Sequence, residues 1–265
     1  MDIFDAARFG DIPRIKTLLQ QGIDINVKKN DWTPLLMAIR YSRETSSLDT
    51  VKFLIDNGAN VNYTGYSDTA INLAAMYGTP EVINLLLDEG ANINNISPED
   101  ETPLLSALRY RKFDNAKFLI EKGADVNIKD RAGLPALLHA SDLEIMKLLL
   151  DKGADPFIVF NRTLKLGKTI FYLCTSKECR KLVSEYMWKS LSTSDKKLLR
   201  NLLASRKDIP KDVWELILFR KRQQQLCKNL NDEKNKYILY FFAIELGIPV
   251  TEEMSKASLC SIISN

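Results

Sequence analysis

The sequence predicts an all-α solenoid: helix–turn–helix repeats with β-turn fingers, followed by a small helical C-terminal region. One short phrase returns five times, as Gly22-Ile23-Asp24-Ile25-Asn26, Gly58-Ala59-Asn60-Val61-Asn62, Gly90-Ala91-Asn92-Ile93-Asn94, Gly123-Ala124-Asp125-Val126-Asn127 and Gly153-Ala154-Asp155. Its glycines stand 36, 32, 33 and 30 residues apart. A period near 33 marks small units that cannot bury an apolar face alone and must stack. Between the phrases, apolar residues recur at helical spacing in two blocks per unit.

The first unit opens on Asp2-Ile3-Phe4-Asp5-Ala6-Ala7, a polar start suited to an end cap. In the second, Thr33 caps a helix that begins Pro34-Leu35-Leu36-Met37-Ala38-Ile39. Proline fits the first turn because the N–H it lacks would be unpaired there. Leu48 to Asn57 forms the second helix, and Gly58 ends it in the left-handed conformation. The third unit repeats this with Thr69 to Ala75 and Pro80 to Leu87, the fourth with Thr102 to Ala107 and Asn115 to Ile120. The fifth has Pro135 to Ala140 and Leu143 to Leu150. Length changes are confined to turns: the second unit gains about three residues around Ser42 to Ser47, and the fifth is shortened. A degenerate sixth unit is expected, with one helix from Gly167 to Leu173 and another from Lys177 to Val183.

Thr33-Pro34-Leu35, Thr102-Pro103-Leu104, the pairs Ala6-Ala7 and Ala74-Ala75, and the Gly-Ala-Asp/Asn turns together resemble the ankyrin repeat family over residues 1–160. The chain departs from that pattern where a histidine normally follows Thr-Pro-Leu. Leu36, Leu73, Leu105 and Leu138 take its place, so a tether between neighbouring turns is expected to be lost. The resemblance implies partner contacts on the turn tips and on the concave face of the first helices. Aligning the units brings Arg8-Phe9, Arg40-Tyr41, Met76-Tyr77 and Arg109-Tyr110 to one repeat position. Trp32, Tyr66, Asp68, Glu101 and Arg131 fall at turn tips, expected on the same side. The partner-binding set is therefore Trp32, Arg40, Tyr41, Tyr66, Met76, Tyr77, Arg109, Tyr110 and Arg131. Tyrosine and arginine are the residues most enriched at interface hot spots. The competing reading packs these aromatics between adjacent helices. Asn26, Asn62, Asn94 and Asn127, each eight residues after a leucine, also resemble the asparaginyl-hydroxylation pattern of ankyrin repeats. Side chains that brace the turn account for them more simply.

Catalysis finds little support in these residues. The only histidine, His139, has no implied Ser, Cys or carboxylate partner and reads as structural. Gly167-Lys168-Thr169 mimics the end of a phosphate loop without its upstream glycine. The four cysteines lie beyond the regular repeats and form no CxxC pair, so idle thiols rather than disulfides or zinc ligands are expected. Neither a cofactor nor a metal is implied, and the chain reads as no enzyme. With no run of 18 apolar residues and no signal-peptide layout at Met1 to Ala7, export and membrane insertion are not expected. A cytoplasmic location follows, with the nucleus as an alternative.

Three segments are expected: ankyrin repeats over 1–160, a capping repeat over 161–189, and a basic helical region over 190–265. Residues 1–160 hold 17 Lys/Arg against 23 Asp/Glu, whereas residues 161–265 hold 20 against 11. Such asymmetry suggests two regions with different partners. Ile209-Pro210-Lys211-Asp212-Val213-Trp214-Glu215-Leu216-Ile217-Leu218 resembles the opening of an F-box. That resemblance implies docking on a Skp1-type ubiquitin-ligase adaptor through Ile209, Pro210, Val213, Trp214, Ile217 and Leu218. Arg220 to Gln225 departs from the apolar continuation of that family. Read alone, Pro210 starts an amphipathic helix with Asp208 as its cap. Ankyrin repeats before an F-box-like segment resemble host-range proteins of large DNA viruses, which would place the chain in a host cytoplasm. Tyr237 to Ile263 resembles the SAP fold, and with the basic balance it supports an alternative role on nucleic acid.

Overall fold

The protein is described by a computed structural model covering residues 1–65, 68–156, 159–160, 168–169 and 176–189. The chain divides into two units, Met1–Tyr186 and Met187–Asn265. The expected helices after residue 190, the F-box-like residues Ile209, Pro210, Val213, Trp214, Ile217 and Leu218 among them, lie outside the described residues.

Ten helices build the repeats: α1 Ile3–Phe9, α2 Ile12–Gln20, α3 Pro34–Arg40, α4 Leu48–Asp56, α5 Ala70–Tyr77, α6 Pro80–Asp88, α7 Pro103–Arg109, α8 Phe113–Glu121, α9 Ala136–His139 and α10 Leu143–Asp151. The odd-numbered helices form an inner row in which each packs on the next; α4, α6, α8 and α10 follow one another in an outer row. Alanines make the inner row possible. Ala6, Ala7, Ala38, Ala74, Ala75 and Ala107 are wholly buried, and their small side chains let neighbouring helices approach closely. Ile39, Leu54, Ile83, Leu86 and Leu119 fill the space between the rows.

Thr33 caps its helix as the sequence predicts, and side chains cap other helix starts as well. Thr33 and Thr102 accept from the amides of Leu36 and Leu105; Asp11, Ser47 and Asp142 do the same for α2, α4 and α10. At the ends of the outer helices, Gly22, Gly58, Gly90, Gly123 and Gly153 sit at φ between 82° and 92°, where any Cβ is strained. Past the first four of these glycines, an Asp or Asn accepts from the amide two residues on, as Asp24 does from Asn26 and Asn92 from Asn94. The following asparagine then ties one unit to the next. Asn26 donates to Gly58 O and accepts from Asn60 N, Asn94 accepts from Asp125 N, and Asn127 donates to Gly153 O. The bracing role fits Asn26, Asn94 and Asn127 directly.

The fingers between units are tight antiparallel turns. Lys29 and Trp32 exchange both backbone bonds across Asn30 and Asp31, which take positive φ, the conformation of a two-residue hairpin. Thr64 and Thr69, and Lys129 and Pro135, are bridged antiparallel across longer turns.

Four expectations are corrected. In the third unit the residue at the third helical position after the Thr69 cap is Asn72, not Leu73, and it is a tether. Fully buried, it accepts from Thr69 Oγ1 (2.6 Å) and donates to Glu101 O (2.8 Å) and Ser106 Oγ. Lys168–Thr169 (β2) pairs antiparallel with Val159–Phe160 (β1) instead of opening an inner helix. Helix α11, Lys177–Lys189, follows. Its Tyr186 donates to Asp151, which pushes the phenol up to about 12. Cys179, buried against Met146 (3.7 Å between sulfurs), is disulfide-bonded rather than an idle thiol. Finally, His139 does have a carboxylate partner: its Nε2 lies 2.8 Å from Asp130 Oδ2, which joins the fifth finger to α9.

Candidate functional site

The aromatic and arginine residues at one repeat position end the inner helices, and their chemistry follows from that placement. Arg8-Phe9 closes α1, Arg40-Tyr41 closes α3, Tyr77 closes α5 and Arg109-Tyr110 closes α7. Arginine suits the negative end of a helix. The aromatic after it lies past the alanine core, where it is half-buried (Tyr41, Tyr77) or exposed (Phe9 53%, Tyr110 43%).

These side chains form one continuous ladder. Arg8 Cζ lies 5.3 Å from the Phe9 centroid and 4.4 Å from that of Tyr41. Arg40 Cζ lies 5.3 Å from the Tyr41 centroid and 3.6 Å from that of Tyr77. Tyr77 meets Tyr110 edge to face, with centroids 5.4 Å apart and planes at 69°. Each guanidinium is thus held on an aromatic face, a contact worth about 0.5–1 kcal/mol at exposed sites.

The far end of the ladder carries charge of the other sign. Arg109 forms an ion pair with Glu101, whose side chain is only 8% exposed and also accepts from Ser106 Oγ. The Tyr110 pKa is raised above its ordinary value, first by the hydrogen bond with Tyr77, then by partial burial, by electrostatic interaction with the Tyr77 phenol and by the negative charges of Asp68 and Glu101. By contrast, neither Arg8 nor Arg40 has a carboxylate within ion-pair distance among the described residues. Arg8 Nε is buried without a hydrogen-bond partner.

The backbone beneath the ladder is held by side chains. Asn115, fully buried in α8, donates from Nδ2 to Ala74 O, Ala75 O and Gly78 O, carbonyls in the last turn of α5 and just past it. Arg43 Nε donates to Gly78 O as well, at 2.6 Å. The inserted turn of the second unit supplies that arginine, and its Thr45 donates to Arg8 O at 2.6 Å. The extra residues therefore clasp the first and third units.

Of the nine partner-binding residues expected from sequence, Arg40, Tyr41, Tyr77 and Tyr110 come together, whereas Arg109, next to Tyr110 in the chain, pairs with Glu101. Met76 does not join them: only 4% exposed, it faces the core one position before Tyr77. Glu101 points inward from its turn rather than out. Trp32 is half-buried in the first finger and Arg131 is exposed in the fifth, and among the described residues neither makes a ring or ion-pair contact with the ladder. Tyr66 lies outside the described residues. The sequence reading missed Asn115 and Arg43. An asparagine amid the apolar positions of α8 was the available signal for the first.

Among the described residues no group of three or more His, Cys, Asp or Glu could hold a metal, and no helix is long and apolar enough to cross a membrane.

A family model described as ankyrin repeats matches in three copies, over residues 3–65, 46–130 and 71–160. A putative ankyrin repeat protein, L92, from Acanthamoeba polyphaga mimivirus is 32% identical over 178 residues, covering 63% of this chain and 42% of the relative. Another from the same virus, R664, is 34% identical over 131 residues, 47% of this chain and 62% of the relative. The ankyrin repeat and KH domain-containing protein mask-1 of Caenorhabditis elegans is 27% identical over 58% of this chain and 6% of its own length. The chain spans less than two thirds of each of these relatives.

Proposed function

The chain belongs to the ankyrin repeat family, and from that premise we propose that it is a non-catalytic adaptor. Ankyrin repeats are a general protein–protein interaction module. In our reading the partner protein lies on the concave face along Phe9, Tyr41, Tyr77 and Tyr110. The observation that carries this is the ladder itself: four aromatic rings and two guanidiniums in contact, at the ends of helices whose backbones are rigidly packed. Rigid aromatic and arginine anchors bind with little ordering cost. A photo-crosslinking residue at Tyr110, with a control at Phe118 on the outer row, tests the reading in cells that express the chain. Partner adducts at Tyr110 and none at Phe118 are expected; the reverse pattern refutes it.

A sharper form assigns recruitment of a Skp1-type adaptor to the F-box-like residues 209–218, in the cytoplasm of a host cell. The residue pattern Ile209-Pro210 followed by Val213, Trp214, Ile217 and Leu218 supports it. Co-purification of a Skp1-type protein with the full chain, lost on Trp214→Ala, is the expected result. Salt-dependent retention on DNA in its place favours the nucleic-acid alternative suggested by the basic balance after residue 160.

A further inference from the structure

We propose that the ladder selects an extended acidic segment of its partner, with two carboxylates at positions i and i+2 held by Arg8 and Arg40. The inference rests on the concave-face reading and specifies its ligand. Charge is distributed unevenly along the ladder. At the fourth unit Arg109 is neutralised by Glu101, and Asp68 adds negative charge near Tyr110. At the first and second units the guanidiniums of Arg8 and Arg40 are stacked on rings and, among the described residues, have no carboxylate within ion-pair distance. Stacking holds each guanidinium in place, and because Arg8 Nε is buried the carboxylate is received end-on by the two terminal nitrogens of the fork.

Spacing then fixes the ligand. Arg8 Cζ and Arg40 Cζ lie 4.4 and 5.3 Å from the same Tyr41 centroid, so the two charges are under about 10 Å apart. In an extended chain, side chains on one face recur every second residue, about 6.7 Å apart. Two acidic side chains at i and i+2 therefore reach both forks from one face. Adjacent residues point to opposite faces, and i+4 overshoots. Tyr77 and the exposed edge of Tyr110 continue the row beyond the second carboxylate, where an apolar side chain fits and a third acid meets Glu101 and Asp68.

The test is selection of a random-peptide phage library on the immobilised full chain, followed by anisotropy titration of selected peptides. We expect a consensus with Asp or Glu at i and i+2, bound at least tenfold more weakly by Arg8→Gln/Arg40→Gln. Binding should also weaken as salt is raised. Thermal unfolding of the double variant checks that it is folded, and Arg8→Lys/Arg40→Lys, which keeps charge but not the fork, should recover only part of the affinity. A consensus without the acid pair, or none, overturns the inference. If an acid-free consensus still requires Tyr41 and Tyr77, the concave-face reading survives. If peptides bind regardless of Arg8, Arg40, Tyr41 and Tyr77, both readings fall.

Discussion

Asn115 offers the most demanding test of how the stack supports the ladder. Its Nδ2 reaches Ala75 O and Gly78 O at 3.0 Å and Ala74 O at 3.3 Å, in a place with no access to water. Ala74 and Ala75 lie in the last turn of α5 and Gly78 follows it; the Gly78 amide also serves Ala74 O and Arg43 also serves Gly78 O, so Ala75 O depends on Asn115. Two hydrogens shared among three acceptors amount to about two net hydrogen bonds, each near 1 kcal/mol. Removing the amide also leaves Ala75 O unpaired, since among the described residues no other group donates to it. Against this, Asn115 Oδ1 is itself buried and unpaired, a cost that truncation relieves. Asn115→Ala should therefore destabilise the repeats by about 2–3 kcal/mol. Asn115→Asp should be worse at neutral pH, by about 3–5 kcal/mol, because a buried carboxylate then faces three carbonyl oxygens. Burial raises the folded-state pKa of such a group, so its penalty shrinks as pH falls and the carboxyl is protonated. Urea unfolding followed by circular dichroism at pH 7 and pH 5 measures both. An Asn115→Ala variant within 0.5 kcal/mol of the parent, or an Asp variant no worse than Ala, would refute the account of this helix end.

Other predictions follow from the same site. Gly78→Ala places a Cβ 2.9 Å from Ala74 O, a backbone atom that cannot swing away, and should cost about 1–3 kcal/mol by differential scanning calorimetry. Arg109→Glu sets a like charge beside the nearly buried Glu101 and should lower the melting temperature by several degrees, whereas Arg40→Glu should cost only its stacking, about 0.5–1 kcal/mol. At Asp130, burial pushes the carboxyl up, but the amides of Leu134 and Ala132 and the His139 ring outweigh it and hold the pKa below the ordinary value. Its stabilisation is thus complete above about pH 4–5 and is lost as pH falls through the lowered pKa. Asp130→Asn should flatten that acid limb in a pH series of urea midpoints.

Much of this architecture is legible in the sequence because repetition tests each reading several times over. Thr33, Thr69 and Thr102 start helices, and glycines at a fixed spacing end them. The departures arise where one residue answers to two constraints. Met76 and Tyr77 share a helix end, and the 100° between them sends one to the core and the other to the surface. Glu101 stands in a polar turn yet folds inward, because Arg109 and Ser106 satisfy its charge; no local pattern encodes that pairing. Asn72 escaped notice as a tether because Thr69-Ala70-Ile71 lacks the proline and leucine that set the register elsewhere. Asn115 serves a helix some 40 residues away, beyond the reach of any periodicity. The brief pairing of Val159–Phe160 with Lys168–Thr169 is too short for alternation to reveal.

The most direct measurement is the dissociation constant of the crosslinked partner, by isothermal titration calorimetry, for the full chain and for Tyr41→Ala/Tyr77→Ala. Loss of two interface anchors is expected to cost about 2 kcal/mol or more, at least thirtyfold in affinity, with the fold retained by circular dichroism. A folded double variant that binds as tightly as the parent would contradict the account.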